Sequence, residues 1–357
     1  MNRHVDFWRL PGGRRFVEAI RTGDRERRSI LIHEPFQTAP LVSAIADLTC
    51  REGLDHLCEV DGASHETLCE RLKGTFGNVA STVDGFAFDL KYAVLLAWNA
   101  ESNPSLTSDI LSFAQSCAVR GDASAPVVVL VTPEHVDACS RPVWELVQTE
   151  GILGPHDGIG FAAAAGRGIQ TFEHRLKTSV AVEVGAWDFD IVERILSMPT
   201  HRATRPDEHL SNWSDTRIDL WRRARPNWAA GNLDRWGGEP CIHPLLLAAN
   251  EPSLLTKRVW RGQVAILFPW LDEYRQAVVR TYRRQLRPDE LSYGDDVDTL
   301  DWGPICWQLK RAGIASRVLD AIHAGRILRN NLAHGRPVDW ADIQSFEAGM
   351  AGAGLSR

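Results

Sequence analysis

Five short apolar runs define the first 200 residues of the chain. The runs are Ser29–His33, His56–Val60, Tyr92–Trp98, Pro126–Thr132 and Val180–Val184. Helical or loop segments are expected between them, including Leu41–Cys50, Glu66–Lys73, Leu106–Ala118 and Pro142–Thr149. Continuous apolar strands that alternate with helices are typical of a parallel sheet covered on both faces. Residues 1–200 are therefore predicted to form a doubly wound α/β domain with a five-stranded, mostly parallel sheet.

From Pro252 onward the apolar residues follow helical spacing. A first helical face contains Leu255, Val259, Trp260, Val264, Leu267, Trp270 and Leu271, with a kink or break expected at Pro269. A further helix is expected around Trp302–Lys310. The most regular stripe follows it and consists of Ile314, Val318, Ala321, Gly325, Leu328 and Leu332. Residues 251–357 are predicted to form an all-helical bundle, with residues 201–250 as a junction.

The end of that stripe carries the candidate chemistry. Gly335 and Pro337 predict that the helix stops there, and Asp339 is a suitable N-cap for a last helix. Asn330 and His334 are four residues apart and share a helix face, while Arg329 is one position further round with a long side chain. A guanidinium, an amide and an imidazole at one place suit an anionic ligand such as a phosphate. The alternative is that Arg329 and His334 only cap a helix C-terminus, where cations are favoured.

The segment Arg329-Asn330-x-x-x-His334 on a helix of an all-helical region resembles the Arg-x(4–6)-His motif of the HEPN superfamily. Many members of that family are metal-independent endoribonucleases of bacterial conflict and defence systems, and others only bind. The resemblance implies that Arg329 stabilises charge on the scissile phosphate, that His334 acts as acid or base, and that Asn330 orients the site. It also implies a homodimer. Other Arg–His pairs with similar spacing, such as Arg317–His323, lack this context.

The alternation of five strands with helical segments in the first domain resembles the core of a P-loop or AAA-type NTPase, but the nucleotide-binding motifs are missing. After the first strand the chain has His33-Glu34-Pro35-Phe36-Gln37-Thr38, without the glycines and lysine of a phosphate-binding loop. After the third strand it has Ala97-Trp98-Asn99-Ala100, without an acidic residue to hold magnesium. The domain is therefore predicted to be degenerate and not an ATPase. Glu134 and His135 follow the fourth strand, at the edge where ligands bind in such folds.

Composition narrows the class of protein further. The net charge of −6 excludes polyanion binding by bulk charge, so any RNA contact must be local. Seven cysteines without CxxC pairs suit a reducing cytoplasm, and no signal peptide or membrane span is evident. His56 with Cys58, and Cys241 with His243, are pairs and not zinc sites. The sequence predicts a soluble cytoplasmic protein with no metal and no cofactor.

Two charged or aromatic segments are open to two interpretations each. The junction is rich in tryptophan and arginine, including Trp213, Trp221, Trp228, Arg235 and Trp236. These residues form either a stacking surface for single-stranded nucleic acid or, as favoured here, a packing interface. Residues 257–287 contain eight lysines or arginines, and an acidic segment at residues 289–301 follows. The two segments are either salt-bridged neighbours or an RNA-facing surface beside an autoinhibitory one.

Two functions from different classes follow. In the first, the chain is a metal-independent endoribonuclease of a bacterial defence or toxin-type system, with RNA as its substrate and the α/β domain as a sensor or docking module. In the second, it is a non-catalytic scaffold or adaptor that binds a protein partner in a defence complex. The missing nucleotide motifs favour the second, because a domain that keeps its fold without its chemistry is usually kept for binding.

Overall fold

The computed structural model describes residues 10–25, 29–34, 38–51, 56–132, 143–165, 171–213, 221, 225–288 and 296–355. The elements are α1 (Pro11–Arg25), β1 (Ser29–His33), α2 (Thr38–Arg51), β2 (Leu57–Asp61), α3 (Leu68–Phe76), α4 (Val83–Asp89), β3 (Val94–Trp98), α5 (Pro104–Arg120), β4 (Val127–Thr132), β5 (Trp144–Gln148), α6 (Pro155–Ala165), α7 (Phe172–Gly185), α8 (Phe189–Ser197), α9 (Thr200–Ala203), β6 (Leu233–Trp236), β7 (Glu239–Ile242), α10 (Pro244–Asn250), α11 (Pro252–Tyr282), α12 (Trp302–Arg311), α13 (Ser316–Ala333) and α14 (Trp340–Gly352). By its contacts the chain divides into an α/β unit, residues 1–157 and 226–241, and a helical unit, residues 158–225 and 242–357.

The α/β unit is built on a five-stranded parallel sheet with the order β2-β3-β4-β1-β5. Strand side chains alternate between its two faces. Ile30 and Ile32 of β1 pack with residues of α1 and α2, while Leu31 packs with residues of α3, α4 and α5. Because apolar side chains cover both faces, β1 and β4 are buried along their whole length. The predicted fold class, a parallel α/β sheet followed by a helical region, is confirmed.

The identity of the fifth strand differs from the prediction. Val180–Val184 was expected to be a strand, but it lies inside α7. The segment Pro142–Thr149, predicted as helical or loop material between strands, contains β5 instead, which pairs with β1 at the edge of the sheet. Both assignments were wrong for the same reason: short apolar runs have no period that separates a buried helix from a strand. Only the packing of α7 in the helical unit decides its conformation.

The division of contacts also differs from the predicted boundaries. Helices α7 and α8 belong to the helical unit, although the sequence placed residues up to 200 in the α/β domain. Residues 226–241, predicted as part of a junction, pack with the α/β unit and include the hairpin of β6 and β7. The misread strand in α7 accounts for the first difference, because it carried the predicted sheet past residue 180.

The helical unit has an aromatic core around Phe346 of α14. Its ring lies 5.2 Å from that of Trp270, 5.1 Å from that of Tyr274 and 6.0 Å from that of Trp302, all edge-on. Gly325 of α13 admits this cluster, since a Cβ there would lie 2.8 Å from Phe346 and 2.9 Å from Trp302. Helix α11 runs through Pro269 without the break that the sequence allowed. No described helix is long and apolar enough to cross a bilayer.

Candidate functional site

Helix α13 ends where the sequence predicted. Val318, Ala321, Gly325, Leu328 and Leu332 form the buried stripe that anchors it. His334 is the C-cap, and Gly335 follows with φ +75°, a left-handed conformation that favours glycine. The Gly335 N–H donates to the Leu332 carbonyl at 3.2 Å and the Arg336 N–H to the Asn331 carbonyl at 2.9 Å. These two bonds make a Schellman cap, which turns the chain away immediately after His334.

Helix α11 fixes the position of this end. The Trp260 indole N–H donates to the Leu332 carbonyl at 2.6 Å. The Gln263 side chain, which is fully buried, donates to the Val338 carbonyl at 2.9 Å and accepts from the Val338 N–H at 2.7 Å. A buried amide with both groups bonded holds the following loop at a defined distance from α11. The cap of α13 is therefore a supported position and not a frayed terminus.

His334 and Asn330 lie on the outward side of the helix end. His334 is exposed and Asn330 is half-buried. Within the described part of the chain, the imidazole of His334 and the amide of Asn330 have no hydrogen-bond partner. The Asn330 carbonyl accepts from the His334 N–H at 3.0 Å, which keeps the two residues in helical register. The imidazole is thus open to solvent and available to a ligand.

Arg329 is directed toward a different neighbour. Its Nη2 lies 3.0 Å from Oδ2 of Asp301, with 38% of the Arg329 side chain and 47% of the Asp301 side chain exposed. Five helical residues correspond to a rotation of about 140°, so Arg329 and His334 flank the outward face instead of sharing it. No hydrogen bond joins the two side chains among the described residues. An RNA phosphate would have to compete with Asp301 for the guanidinium.

Asp301 belongs to the acidic segment, and the described part of that segment pairs with arginines. Its Oδ1 caps α12 by accepting from the Trp302 N–H at 2.8 Å. Arg283 reaches Asp296 and Asp298, at 3.5 and 2.5 Å. These contacts agree with the interpretation of the basic and acidic segments as salt-bridged neighbours, for the residues that the structure describes. Residues 289–295 lie outside them.

The carboxyl edge of the parallel sheet, where ligands bind in open α/β folds, is occupied by residues of the same chain. His33, Glu34, Thr132 and Thr149 are buried there. The ring of Trp228 lies 4.5 Å from that of His33. Residues 226–238, which include Trp228, therefore pack against this edge. We call these residues the edge-covering segment. Pro35–Gln37, Glu134 and His135, which the sequence singled out, lie outside the described residues.

One carboxyl group of the edge-covering segment has an altered affinity for protons. Asp234 accepts from the Gly151 N–H at 2.7 Å. Burial raises the pKa of Asp234 to about 7, and the negative charges of Glu150 and Glu34 add to the effect. A carboxyl group with this pKa is only partly ionised near neutral pH, because its surroundings disfavour the charged form. At the end of β3, Asn99 donates to Asp61 at 2.9 Å.

The remaining candidate pairs are structural in the described part of the chain. His243 is buried, with Nε2 2.9 Å from the Asp188 carboxylate, while its Nδ1 accepts from the Leu245 N–H at 3.3 Å. Both ring nitrogens are engaged, so this His–Asp pair has no nitrogen left for a substrate. Cys58 is buried and accepts from the Thr75 hydroxyl at 3.4 Å. No group of three metal-ligating side chains occurs among the described residues.

The tryptophans of the predicted junction are mostly packed. Trp221 and Trp236 are buried, and Trp228 contacts His33. The guanidinium of Arg194 lies 3.9 Å from the ring centroid of Trp213, which is half-buried. The burial of these described rings argues against an open stacking surface.

Comparison with known proteins adds little to this geometry. No family model and no curated protein matches the chain. Among solved structures, it is similar to Drosophila ORC bound to DNA, with 9% identity, a TM-score of 0.32, and coverage of 97% of this chain and 72% of that one. Drosophila ORC bound to GC-rich DNA and Cdc6 matches with 10% identity, a TM-score of 0.30, and coverage of 96% and 70%. At these TM-scores the likeness carries no argument about function.

Proposed function

We propose that this chain is a metal-independent endoribonuclease whose site is the end of α13. The observation that carries the proposal is the exposed imidazole of His334, presented on a supported helix cap beside Asn330. In this proposal His334 deprotonates the 2′-hydroxyl of RNA or protonates the leaving 5′-oxygen. Arg329 stabilises the charge on the pentavalent phosphate, and Asn330 orients the site. Only RNA supplies the internal 2′-hydroxyl nucleophile.

The proposed chemistry requires more than one proton transfer. One imidazole cannot easily remove a proton from the nucleophile and deliver another to the leaving group in the same step. Two chains that face one substrate would supply two His334 side chains, so a homodimer is part of the proposal. The HEPN resemblance supports the same arrangement and suggests a bacterial defence or toxin-type system, in which the α/β unit acts as a sensor or docking module.

Arg329 can serve this site only by exchanging its partner. An ion pair with both side chains more than a third exposed is weak, about 0.2–1 kcal/mol. The guanidinium binds a phosphate in a bidentate manner, which compensates for the loss of Asp301. The pair is therefore compatible with substrate binding, and Asp301 acts as a competitor that keeps Arg329 occupied in the absence of RNA.

The test is RNA cleavage in the presence of EDTA by four purified variants. His334→Ala and Arg329→Ala are expected to remove cleavage. His323→Ala and Arg326→Ala, which change exposed residues of the same types on the same helix, are the matched controls and are expected to retain it. Cleavage that survives His334→Ala, or that is lost equally in His323→Ala, would contradict the proposed site.

A non-catalytic scaffold is the second candidate, and two observations favour it. Arg329 is engaged by Asp301, and Trp228 of the edge-covering segment packs on His33 at the sheet edge where open α/β folds bind small ligands. In this case both units serve as docking surfaces in a defence complex. Capture of one stoichiometric partner from the native host, together with RNA left intact by the wild-type chain, would support the scaffold against the nuclease.

A further inference from the structure

Helix α12 presents an exposed tryptophan that the fold does not use. Trp302, Ile305 and Leu309 face the core of the helical unit and are buried. Trp307 lies on the opposite side of the helix, and 59% of it is exposed. A tryptophan usually contributes to stability by burying a large apolar area. Trp307 contributes little of that kind, so its ring is available to a partner.

One guanidinium lies over this ring, and two further exposed cations belong to the same end of α12. The guanidinium of Arg311 lies 4.7 Å from the Trp307 ring centroid, and Lys310 is exposed on the other flank. Gln308 joins α12 to Arg287, accepting from its N–H at 2.7 Å and donating to its carbonyl at 3.0 Å. These bonds place Arg287, also exposed, beside the same end of α12. We call Arg287, Trp307, Lys310 and Arg311 the Trp307 surface.

The cations of the Trp307 surface differ in their pairing from three arginines of the same unit. Arg205, Arg275 and Arg283 each form an ion pair with a described carboxylate. Within the described part of the chain, Arg287, Lys310 and Arg311 have no carboxylate within ion-pair distance. The Arg194–Trp213 contact in the same unit involves a half-buried ring, whereas the Trp307 ring is mostly open. The Trp307 surface thus combines an open aromatic face with positive charge that is not neutralised by described residues.

We propose that the Trp307 surface binds single-stranded RNA, with a base stacked on Trp307 and phosphates bound by Arg287, Lys310 and Arg311. Bases of a single strand have free faces that stack on aromatic rings, and cations follow the backbone between them. A chain with a net charge of −6 needs such a local patch to hold RNA. The inference rests on the proposed function in taking RNA as the ligand, and it adds a holding surface distinct from the cleavage residues.

The experiment measures the affinity of a labelled single-stranded RNA by fluorescence anisotropy, in a His334→Ala background that prevents cleavage. Trp307→Ala is expected to weaken binding about 5- to 100-fold, while Trp307→Phe retains most of the affinity. The affinity falls as salt rises, and Arg311→Ala is expected to make the slope of log affinity against log salt less negative by about 0.7. The controls are Ile327→Ala, an exposed apolar residue of α13, and Lys257→Ala, an exposed cation of α11. Both controls are expected to bind as the parent does.

Three results would overturn the Trp307 surface as an RNA site. One is unchanged affinity in Trp307→Ala and Arg311→Ala, and another is an equal loss in Lys257→Ala, which would indicate diffuse electrostatics. The third is Trp307-dependent binding of an acidic polypeptide with no such dependence for RNA. RNA that is bound through Trp307 but never cleaved by the wild-type chain would leave this inference standing and refute the nuclease. RNA that is cleaved by the wild-type chain while its binding does not depend on Trp307 would refute this inference and leave the nuclease proposal standing.

Discussion

Two regions of this protein carry polar residues where a ligand would be expected, and they differ in what surrounds those residues. At the carboxyl edge of the parallel sheet, His33 and Glu34 are buried and Trp228 packs on the imidazole. At the end of α13, His334 is exposed and its imidazole has no partner in the described part of the chain. The first region has the topology of a ligand site, but the polar side chains described there are buried. The second has no special topology but presents free polar groups.

The comparison shows that topology alone does not locate a site. Parallel sheets bind ligands at their carboxyl edge because loops leave a crevice there, and the edge-covering segment occupies that place in this chain. A helix C-terminus is usually capped and inert, yet the Schellman turn after His334 leaves its ring in solvent. Function has to be inferred from the side chains that remain available. On this criterion the helical unit is the better candidate.

The largest effect is expected from the exposed histidine. His334→Ala should lower RNA cleavage by about 100- to 10,000-fold, since it removes the proposed general acid–base. Glu34→Gln at the sheet edge should leave cleavage unchanged. Initial rates on one RNA substrate measure both. A strong loss in Glu34→Gln with little change in His334→Ala would reverse the roles assigned to the two regions.

The second effect concerns the carboxyl group of Asp234 in the edge-covering segment. The pKa of Asp234 is about 7 in the folded protein, against about 4 when unfolded. Between those values the folded state binds more protons, so the stability that Asp234 contributes is present at low pH and is lost as pH rises through about 7. The slope is at most about 1.4 kcal/mol per pH unit, the value for one proton. Urea denaturation at a series of pH values measures it.

A neutral substitution provides the control for that titration. Asp234→Asn keeps an oxygen that can accept from the Gly151 N–H, and it should remove this pH dependence and stabilise the protein at pH 8. Asp61→Asn, at the end of β2 on the same edge, should keep the wild-type dependence. Identical curves for wild type and Asp234→Asn would show that the edge is open to water.

A smaller effect is expected at the cap of α13. Gly335→Ala places a Cβ at φ +75° and should cost about 1 kcal/mol. Gly352→Ala, at the end of α14 without a positive φ and with nothing within 4 Å of an added Cβ, should be neutral or slightly stabilising. Thermal denaturation compares the two. An equal change in thermal stability for the two variants would mean that the turn after His334 accepts a side chain without strain. The cap would then be more mobile than its hydrogen bonds indicate.

The smallest effect is expected from the partner of Arg329. Asp301→Asn keeps an oxygen to cap α12 but removes the charge, so cleavage should rise by no more than about fivefold. Asp298→Asn, which removes a charge that pairs with Arg283 instead, should leave cleavage unchanged. A decrease in Asp301→Asn would mean that Asp301 positions Arg329 for catalysis and does not compete with the phosphate.

The sequence predicted the sheet well where strands were long, apolar and separated by capped helices. The run Ser29–His33 is β1 within the same limits, and Pro126–Thr132 differs from β4 by one residue. The strand prediction failed at Val180–Val184, a segment with β-branched residues that lies in α7. That helix is buried against α11, where Gly262 allows close approach: a Cβ there would lie 2.7 Å from the Cα of Val180. Tertiary packing overrides local preference at such a contact.

The sequence by itself determined that Asn330 and His334 stand at the end of a helix, because apolar spacing and the following glycine are local signals. Only the tertiary structure decided that Arg329 turns to Asp301 and that Trp307 stays in solvent. It also decided that residues 226–238 return to cover the sheet edge. Those outcomes depend on which distant segments meet. Hydrophobic patterning says that a face must be buried, but it does not say which partner buries it.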